Sequence, residues 1–239
     1  MTRRRWIADE STATHAALTG DHADHLIRVL RARVGQDFDI AIGASLRRGR
    51  ITSITANRVE FELAEEIPVA DPILITLLLA IFKFDRMEWA IEKCAELGVT
   101  RIIPVIARRT DSHLAVASKK RVERWQRIAR QASEQARRTS PPEISGPIKL
   151  TDALSLPAAL KIVLSESENQ TQLRDALNRD AVALKSEIIL AIGPEGGWTE
   201  DELISFDHAA WTSASLGNTI LRSETAAIAA TAIVVSTLS

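Results

Sequence analysis

The stretch 73–81, ILITLLLAI, is an apolar and β-branched run interrupted only by Thr76. A strand with one wet face alternates apolar and polar side chains, so a strand apolar at nearly every position must be covered on both faces. That requirement points to a parallel sheet sandwiched by helices, and the rest of the chain supplies the parts. Further strand-like segments occur at 101–106, 161–164, 187–192 and 211–216. Between them lie segments with apolar residues at helical spacing. Met87, Ala90, Ile91, Cys94 and Leu97 form one such face, and Gly98 is placed to end that helix. Ser118 is placed to cap a long helix carrying Val122, Trp125, Ala129, Ala132 and Ala136, with further helices expected near 171–178, 199–208 and from Ser223 onward. Strands alternating with helices predict an α/β fold with helices on both faces of a parallel sheet.

The first 68 residues read differently. Short strands are expected at 38–42, 50–55 and 58–63, punctuated by Gly35, Gly43 and Asn57. One helix is expected from Asp21, with Leu26, Val29 and Leu30 inward and Arg28 and Arg31 directed elsewhere. Residues 67–73 read as a linker. The chain is therefore expected to comprise a β-rich module at 1–68 and a larger α/β domain at 69–239.

With 239 residues, 46% of them hydrophobic and 26% charged, the chain has the composition of an ordinary globular protein, which excludes disorder and low complexity. Its one cysteine, Cys94, excludes a disulfide scaffold and suits a reducing compartment. No apolar signal region follows Arg3, Arg4 and Arg5, and the longest apolar run is about half of a membrane span. A cytoplasmic location is expected.

The net charge of −1 conceals an asymmetry. Residues 101–138 hold eleven basic and three acidic side chains, whereas residues 139–239 hold six and thirteen. Positive clusters also occur at Arg3–Arg5, at Arg28, Arg31 and Arg33, and at Arg47, Arg48 and Arg50. Blocks of this kind suit a polyanion such as nucleic acid, or else a solvated helix face.

Two strand–glycine-loop–helix units carry the chemistry. In the first, a buried strand ends in Gly193, Pro194, Glu195, Gly196 and Gly197, and Thr199 with Glu202 has capping-box spacing for the helix that follows. Ligands in open α/β sheets bind beyond the carboxyl ends of strands, where this loop lies. It matches neither a dinucleotide fingerprint nor a phosphate loop. The acidic helix start at Glu200, Asp201 and Glu202 argues against a phosphate there. In the second unit, Leu216 and Gly217 lead through Ile220, Leu221 and Arg222 to Ser223, a candidate N-cap, and Glu224. Apolar residues with a few fixed polar groups are expected of a small-molecule pocket.

These strings resemble those of the RsmE-type 16S ribosomal RNA uridine-N3 methyltransferases of the SPOUT superfamily. Upstream segments agree in order: His25 to Arg31, Glu92 to Val99, and Arg124, Trp125, Gln126, Glu134, Gln135, Arg137, Arg138, Pro142 and Glu143. The chain departs at Asn218 and Thr219, where the family usually has Pro-Arg, and at Phe84, where it often has glycine. The resemblance implies a PUA-like RNA-binding β-barrel, a C-terminal domain with a trefoil knot, a homodimer and an S-adenosylmethionine (SAM) site in the knot. Carried onto this chain, the cofactor residues are Leu164, Glu166, Gly193, Glu195, Gly196, Leu216, Gly217, Ile220 and Leu221.

The implied reaction is methyl transfer to uridine N3 of 16S rRNA in the small ribosomal subunit. N3 carries a proton, so a proton acceptor or a cation over the uracil oxygens is needed. Arg222 is the expected cation. Glu224 is either the base, a partner that orients Arg222, or an ordinary charge at a helix start. Arg3, Arg4, Arg5, Arg28, Arg31, Arg124, Arg127 and Arg138 are expected on phosphates, positioning RNA without reading bases. His15, His22, His25, His113 and His208 lack metal-ligand spacing with carboxylates or Cys94, so no metal is expected. A non-catalytic RNA-binding or ribosome-assembly protein on the same fold is the alternative. A nucleotide-dependent oxidoreductase is disfavoured by the missing fingerprint.

Overall fold

The computed structural model describes residues 5–179 and 187–238. The chain divides into two compact units, Met1–Asp71 with Ser133–Ser140, and Pro72–Ala132 with Pro141–Ser239.

The first unit is a six-stranded sheet. Its strands are β1 (Arg5–Ile7), β2 (Glu10–Ser11), β3 (His15–Thr19), β4 (Asp37–Ile42), β5 (Ser45–Thr55) and β6 (Arg58–Ile67), in the order β1-β4-β5-β6-β3-β2. β1 runs parallel to β4, and the other pairs are antiparallel. Trp6, Leu18, Leu26, Ile40, Ile51, Val59 and Phe61 form its core. The expected helix from Asp21 is instead a short α1 (Gly20–Asp24) continued by a π-helical turn, His25–Val29. The wider i→i+5 turn buries Leu26 but leaves Val29 65% exposed, against the inward position that α-helical spacing gives it. Arg31, at φ 52°, lies beyond the turn. β1, β2 and β3 had no signal in the reading of the sequence.

The second unit contains β7 (Ile75–Ala80), α2 (Phe84–Leu97), β8 (Arg101–Ile106), α3 (Ser112–Ser118) and α4 (Val122–Gln135), the last running into the first unit. It continues with β9 (Glu143–Ile144), β10 (Ile148–Lys149), α5 (Leu150–Leu154), β11 (Leu160–Leu164), α6 (Leu173–Arg179), β12 (Ile188–Ile192), α7 (Glu200–His208), β13 (Thr212–Ala214) and α8 (Ser223–Leu238). Every recorded pairing in this sheet is parallel, in the order β10-β8-β7-β12-β11-β13, with β9 beside β8. Alternate side chains of β7 and β12 point to opposite faces. Ile75, Leu77, Leu79, Ile188, Leu190 and Ile192 pack with Trp125 of α4 and with residues of α2, α6 and α8. Leu78, Ala80, Ile189 and Ala191 pack on the other face with Leu150 of α5 and Phe206 of α7. The α/β fold with helices on both faces of a parallel sheet is therefore present.

Two expected caps are absent. Ser118 ends α3 and donates its hydroxyl to Ala115 O at 2.7 Å; a 3-10 turn, Lys119–Arg121, separates it from α4. Ser118 has helical φ −58° and ψ −35°, not the extended conformation from which a capping side chain reaches the amides ahead of it. Ser223 is the first residue of α8 rather than its cap. Gly98 does terminate α2, at φ 107°, a conformation that L side chains rarely adopt. Among the described residues, no helix is long and apolar enough to cross a membrane.

Candidate functional site

Strand order decides where a cavity can form. β12, β11 and β13 are neighbours and parallel, so their carboxyl-terminal loops emerge side by side. Between these loops lies a cavity of about 420 Å³, within the usual range for a small-molecule site. β11 contributes Leu164, Ser165, Glu166 and Ser167; β12 contributes Ile192, Gly193, Pro194, Glu195, Gly197 and Trp198. The loop after β13 adds Leu216, Gly217, Thr219, Ile220 and Leu221, and α8 adds Ser223 and Ala226.

The β12 loop is held from several sides. Gly197 N donates to Pro194 O at 2.8 Å, closing a turn in which Gly197 has φ 70°. A side chain at Gly197 would meet Glu166 Oε1 at 3.0 Å as well as an unfavourable backbone conformation. The capping box forms as its spacing predicts: Glu202 N donates to Thr199 Oγ1 at 3.3 Å, and Thr199 N donates to Glu202 Oε2 at 2.8 Å. The other Glu202 oxygen accepts Arg108 N at 2.7 Å. Arg109 donates to Gly196 O and, at 3.4 Å, to Trp198 O.

The β13 loop contrasts with this. Thr171 O and Gln172 of the preceding segment anchor Ser215, but among the described residues no hydrogen bond satisfies the backbone amides of residues 216–221. Unpaired donors on a cavity wall are open to a ligand. Trp198 Nε1, also at the cavity, is buried without a hydrogen bond.

Of the nine expected cofactor residues, eight line this cavity. Gly196 does not: its backbone backs onto Arg109, whose Cδ would lie 3.2 Å from a side chain there. Arg222 and Glu224 are also outside the lining. Arg222 is exposed, whereas Glu224 is 3% exposed. The orienting partner of Glu224 is not Arg222. Glu224 Oε1 lies 3.8 Å from Nε of Arg86, whose Nη1 donates to Glu195 Oε1 at 2.6 Å. Glu224 Oε2 is buried without a hydrogen-bond partner. Arg86 and Arg109 were missed. Nothing local marks either arginine, since their partners lie 109 and 87 residues away.

The expected RNA-facing arginines divide into free and engaged groups. Arg3 and Arg4 lie outside the described residues. Arg5 donates to Arg137 O, and its partial burial lowers its pKa. Arg138 is pushed down to about 10 by burial. Arg137 and Arg138 lie beyond the end of α4, with Arg137 at φ 57°. Arg28 pairs with Asp24 at 3.4 Å, and Arg124 makes two bonds to Glu88. Arg31 and Arg127 are exposed and have no ion-pair partner among the described residues. Cys94 is buried on α2, which pushes its thiol up to about 12. Among the described residues, no three His, Cys, Asp or Glu side chains gather as a metal site.

Residues 69–235 match the family model described as an RNA methyltransferase domain, which defines the class of this fold and cavity. Ribosomal RNA small subunit methyltransferase E of Rickettsia conorii is 33% identical over 220 residues, spanning 90% of this chain and 87% of that protein. The Synechocystis protein of the same name is 31% identical over 223 residues, spanning 91% and 70%. A crystal structure of this methyltransferase from Neisseria gonorrhoeae, bound to S-adenosyl methionine, superposes with a TM-score of 0.82 at 31% identity, covering 97% of this chain and 96% of that one. The chain belongs to the ribosomal RNA small subunit methyltransferase E family.

Proposed function

We propose that this protein is a SAM-dependent methyltransferase acting on N3 of a uridine in 16S rRNA of the small ribosomal subunit, within ribosome biogenesis. The observation that carries the reading is the cavity formed by three adjacent strand ends, with unpaired amides on the β13 loop. Leu164, Leu216, Ile220 and Leu221 supply apolar surface for an adenosyl group, and the amides of 216–221 supply donors for its ring nitrogens. Glu166 and Glu195 place carboxylates where a sulfonium and an ammonium would be favoured. When bound, SAM supplies a methyl group activated by its positive sulfur.

The chain must orient the pyrimidine and accommodate the N3 proton. Arg222, exposed beside the cavity-lining Leu221 and Ser223, can hold the uracil oxygens as charge develops on them. Glu224, with one oxygen unpartnered, is the nearest candidate in sequence to receive the proton. Of the arginines expected on phosphates, Arg31 and Arg127 are the exposed ones without an ion-pair partner among the described residues, and the module 1–68 serves as a PUA-like RNA-binding domain ahead of the methyltransferase domain at 69–239. Threading of the 216–222 loop beside the β12 loop into a trefoil knot, a homodimer and a cytoplasmic location complete the reading. Calorimetry with SAM, followed by mass mapping of 16S rRNA methylated in vitro, tests it. Saturable binding and 3-methyluridine are expected; no heat at millimolar SAM overturns it.

A further inference from the structure

Arg86 is in an unfavourable place for its own helix. It sits in the first turn of α2, where the helix dipole disfavours a cation, so local structure does not account for it. Its guanidinium instead faces two carboxylates from separate parts of the chain. Nη1 donates to Glu195 Oε1 at 2.6 Å, a short charge-assisted bond. Nε lies 3.8 Å from Glu224 Oε1, close enough for ionic attraction but too long for a hydrogen bond. Glu195 is on the cavity wall in the β12 loop, and Glu224 is in the first turn of α8, directly after the β13 loop. Glu224 is nearly fully buried, and among the described residues it pairs with no cation other than Arg86.

From this geometry we infer that Arg86 is a positioning residue of the methyl-transfer site: one guanidinium ties the β12 loop, through Glu195, to the start of α8, through Glu224. The two glycine loops that bound the cavity are otherwise anchored differently. Arg109 and the capping box hold the β12 loop, whereas among the described residues the β13 loop has no hydrogen bond of its own across residues 216–221. Among the described residues, Arg86 is the ionic link between the two loop systems. Removing its charge frees Glu195 from the wall and leaves the carboxylate of Glu224 buried without compensation. An ammonium at the same place keeps the charge but lacks the planar fork that reaches two carboxylates from separate nitrogens.

The inference rests on the SAM reading above, and its test separates the two. The wild-type protein, Arg86→Met, Arg86→Lys, Glu195→Gln and the double variant Arg86→Met/Glu195→Gln are compared by SAM calorimetry. Amide hydrogen exchange of Gly197, which donates to Pro194 O, and of Ala226, which donates to Arg222 O in the first turn of α8, is measured on each without SAM. Arg86→Met should weaken SAM binding by about tenfold or more, Arg86→Lys should recover part of that loss, and the double variant should be no weaker than Arg86→Met alone. Both of these amides should exchange faster in Arg86→Met than in the wild type, while the β7 and β12 amides stay protected. No heat with the wild type overturns the SAM reading, and the role of Arg86 then stands or falls on loop exchange alone. Wild-type affinity and exchange in Arg86→Met overturn the role of Arg86, as do additive losses in the double variant or an equal loss in the lysine variant.

Discussion

Arg124 grips Glu88 through two bonds, Nε to Oε1 at 2.7 Å and Nη2 to Oε2 at 2.8 Å, joining α4 to α2. Arg121 reinforces the same corner, 3.7 Å from Glu88 and with its guanidinium carbon 4.9 Å from the ring centroid of Phe84. A guanidinium already engaged on both prongs is poorly available to phosphate, even though the same helix exposes Arg127 without a partner among the described residues. The two arginines should therefore separate in an RNA-binding assay. Arg127→Ala should lower the slope of log affinity against log salt by about one unit, the signature of a lost phosphate contact. Arg124→Ala should leave that slope nearly unchanged and lower the thermal midpoint. Equal changes in slope would refute the division.

The glycines of the β12 loop differ in what they can tolerate. Gly197→Ala combines φ 70° with a methyl group 3.0 Å from Glu166 Oε1, whereas Gly196→Ala meets only the flexible Cδ of Arg109 at 3.2 Å. The first substitution should cost about 1–2 kcal/mol in denaturant unfolding, from backbone strain plus displacement of Glu166. It should also weaken SAM binding, because Glu166 lines the cavity. Gly196→Ala should be the milder of the two in both measurements. A reversed order would mean that the cavity wall runs along Gly196 after all.

What could be read from the sequence was what local chemistry decides. The Gly98 terminus, the Thr199–Glu202 box and strand 101–106 depend on residues within a few positions of one another. The two glycine loops were found for the same reason, and six of the seven residues expected from them do face the cavity. The unread parts depend on distant partners. β1 exists because Arg5, Trp6 and Ile7 pair in parallel with Asp39, Ile40 and Ala41, and β3 because it pairs with β6. Three- and five-residue strands carry too little periodicity to announce themselves. Val29 kept the spacing of an α-helix, but a π turn placed it outside. Arg86 and Arg109 looked like surface charge because the groups they hold come from the far end of the chain.

Cys94 offers a chemical clock for the second unit. Its thiol is fully buried among α2 and α8 residues, accepts a weak 3.6 Å bond from Thr231 Oγ1, and is pushed up to about 12 chiefly by desolvation. The thiolate is the reactive form, so the native protein should resist alkylation at pH 8. Labelling by a thiol reagent should be slow, should accelerate with denaturant, and should follow the unfolding rate at high reagent concentration. Rapid labelling of the native protein would contradict this burial.

His22 makes the stability of the first unit depend on alkaline pH. Its Nδ1 lies 3.1 Å from both Asp9 oxygens, and its Nε2 lies 3.2 Å from Glu134 Oε1. Hydrogen bonds to Asp9, then to Glu134, raise its pKa from 6.5 to about 9 against the opposing effect of burial. A histidine with a raised folded-state pKa contributes stability in full below its unfolded value, near 6.5, and loses it as pH climbs through about 9. The contribution should be on the order of 2 kcal/mol at low pH, discounted from the full shift because the pair is partly solvated. His22→Gln should therefore be less stable than the wild type at pH 6, and the difference should shrink steadily between pH 7 and pH 10. Denaturant unfolding at a series of pH values measures this, followed by the NMR signals of the Trp6 indole, which packs against His22 and His25 at centroid distances of 6.2 and 5.6 Å. A stability difference that stays constant across that range, or grows toward alkaline pH, would show that the imidazole is neutral in the folded protein and that the two carboxylates are held by other means.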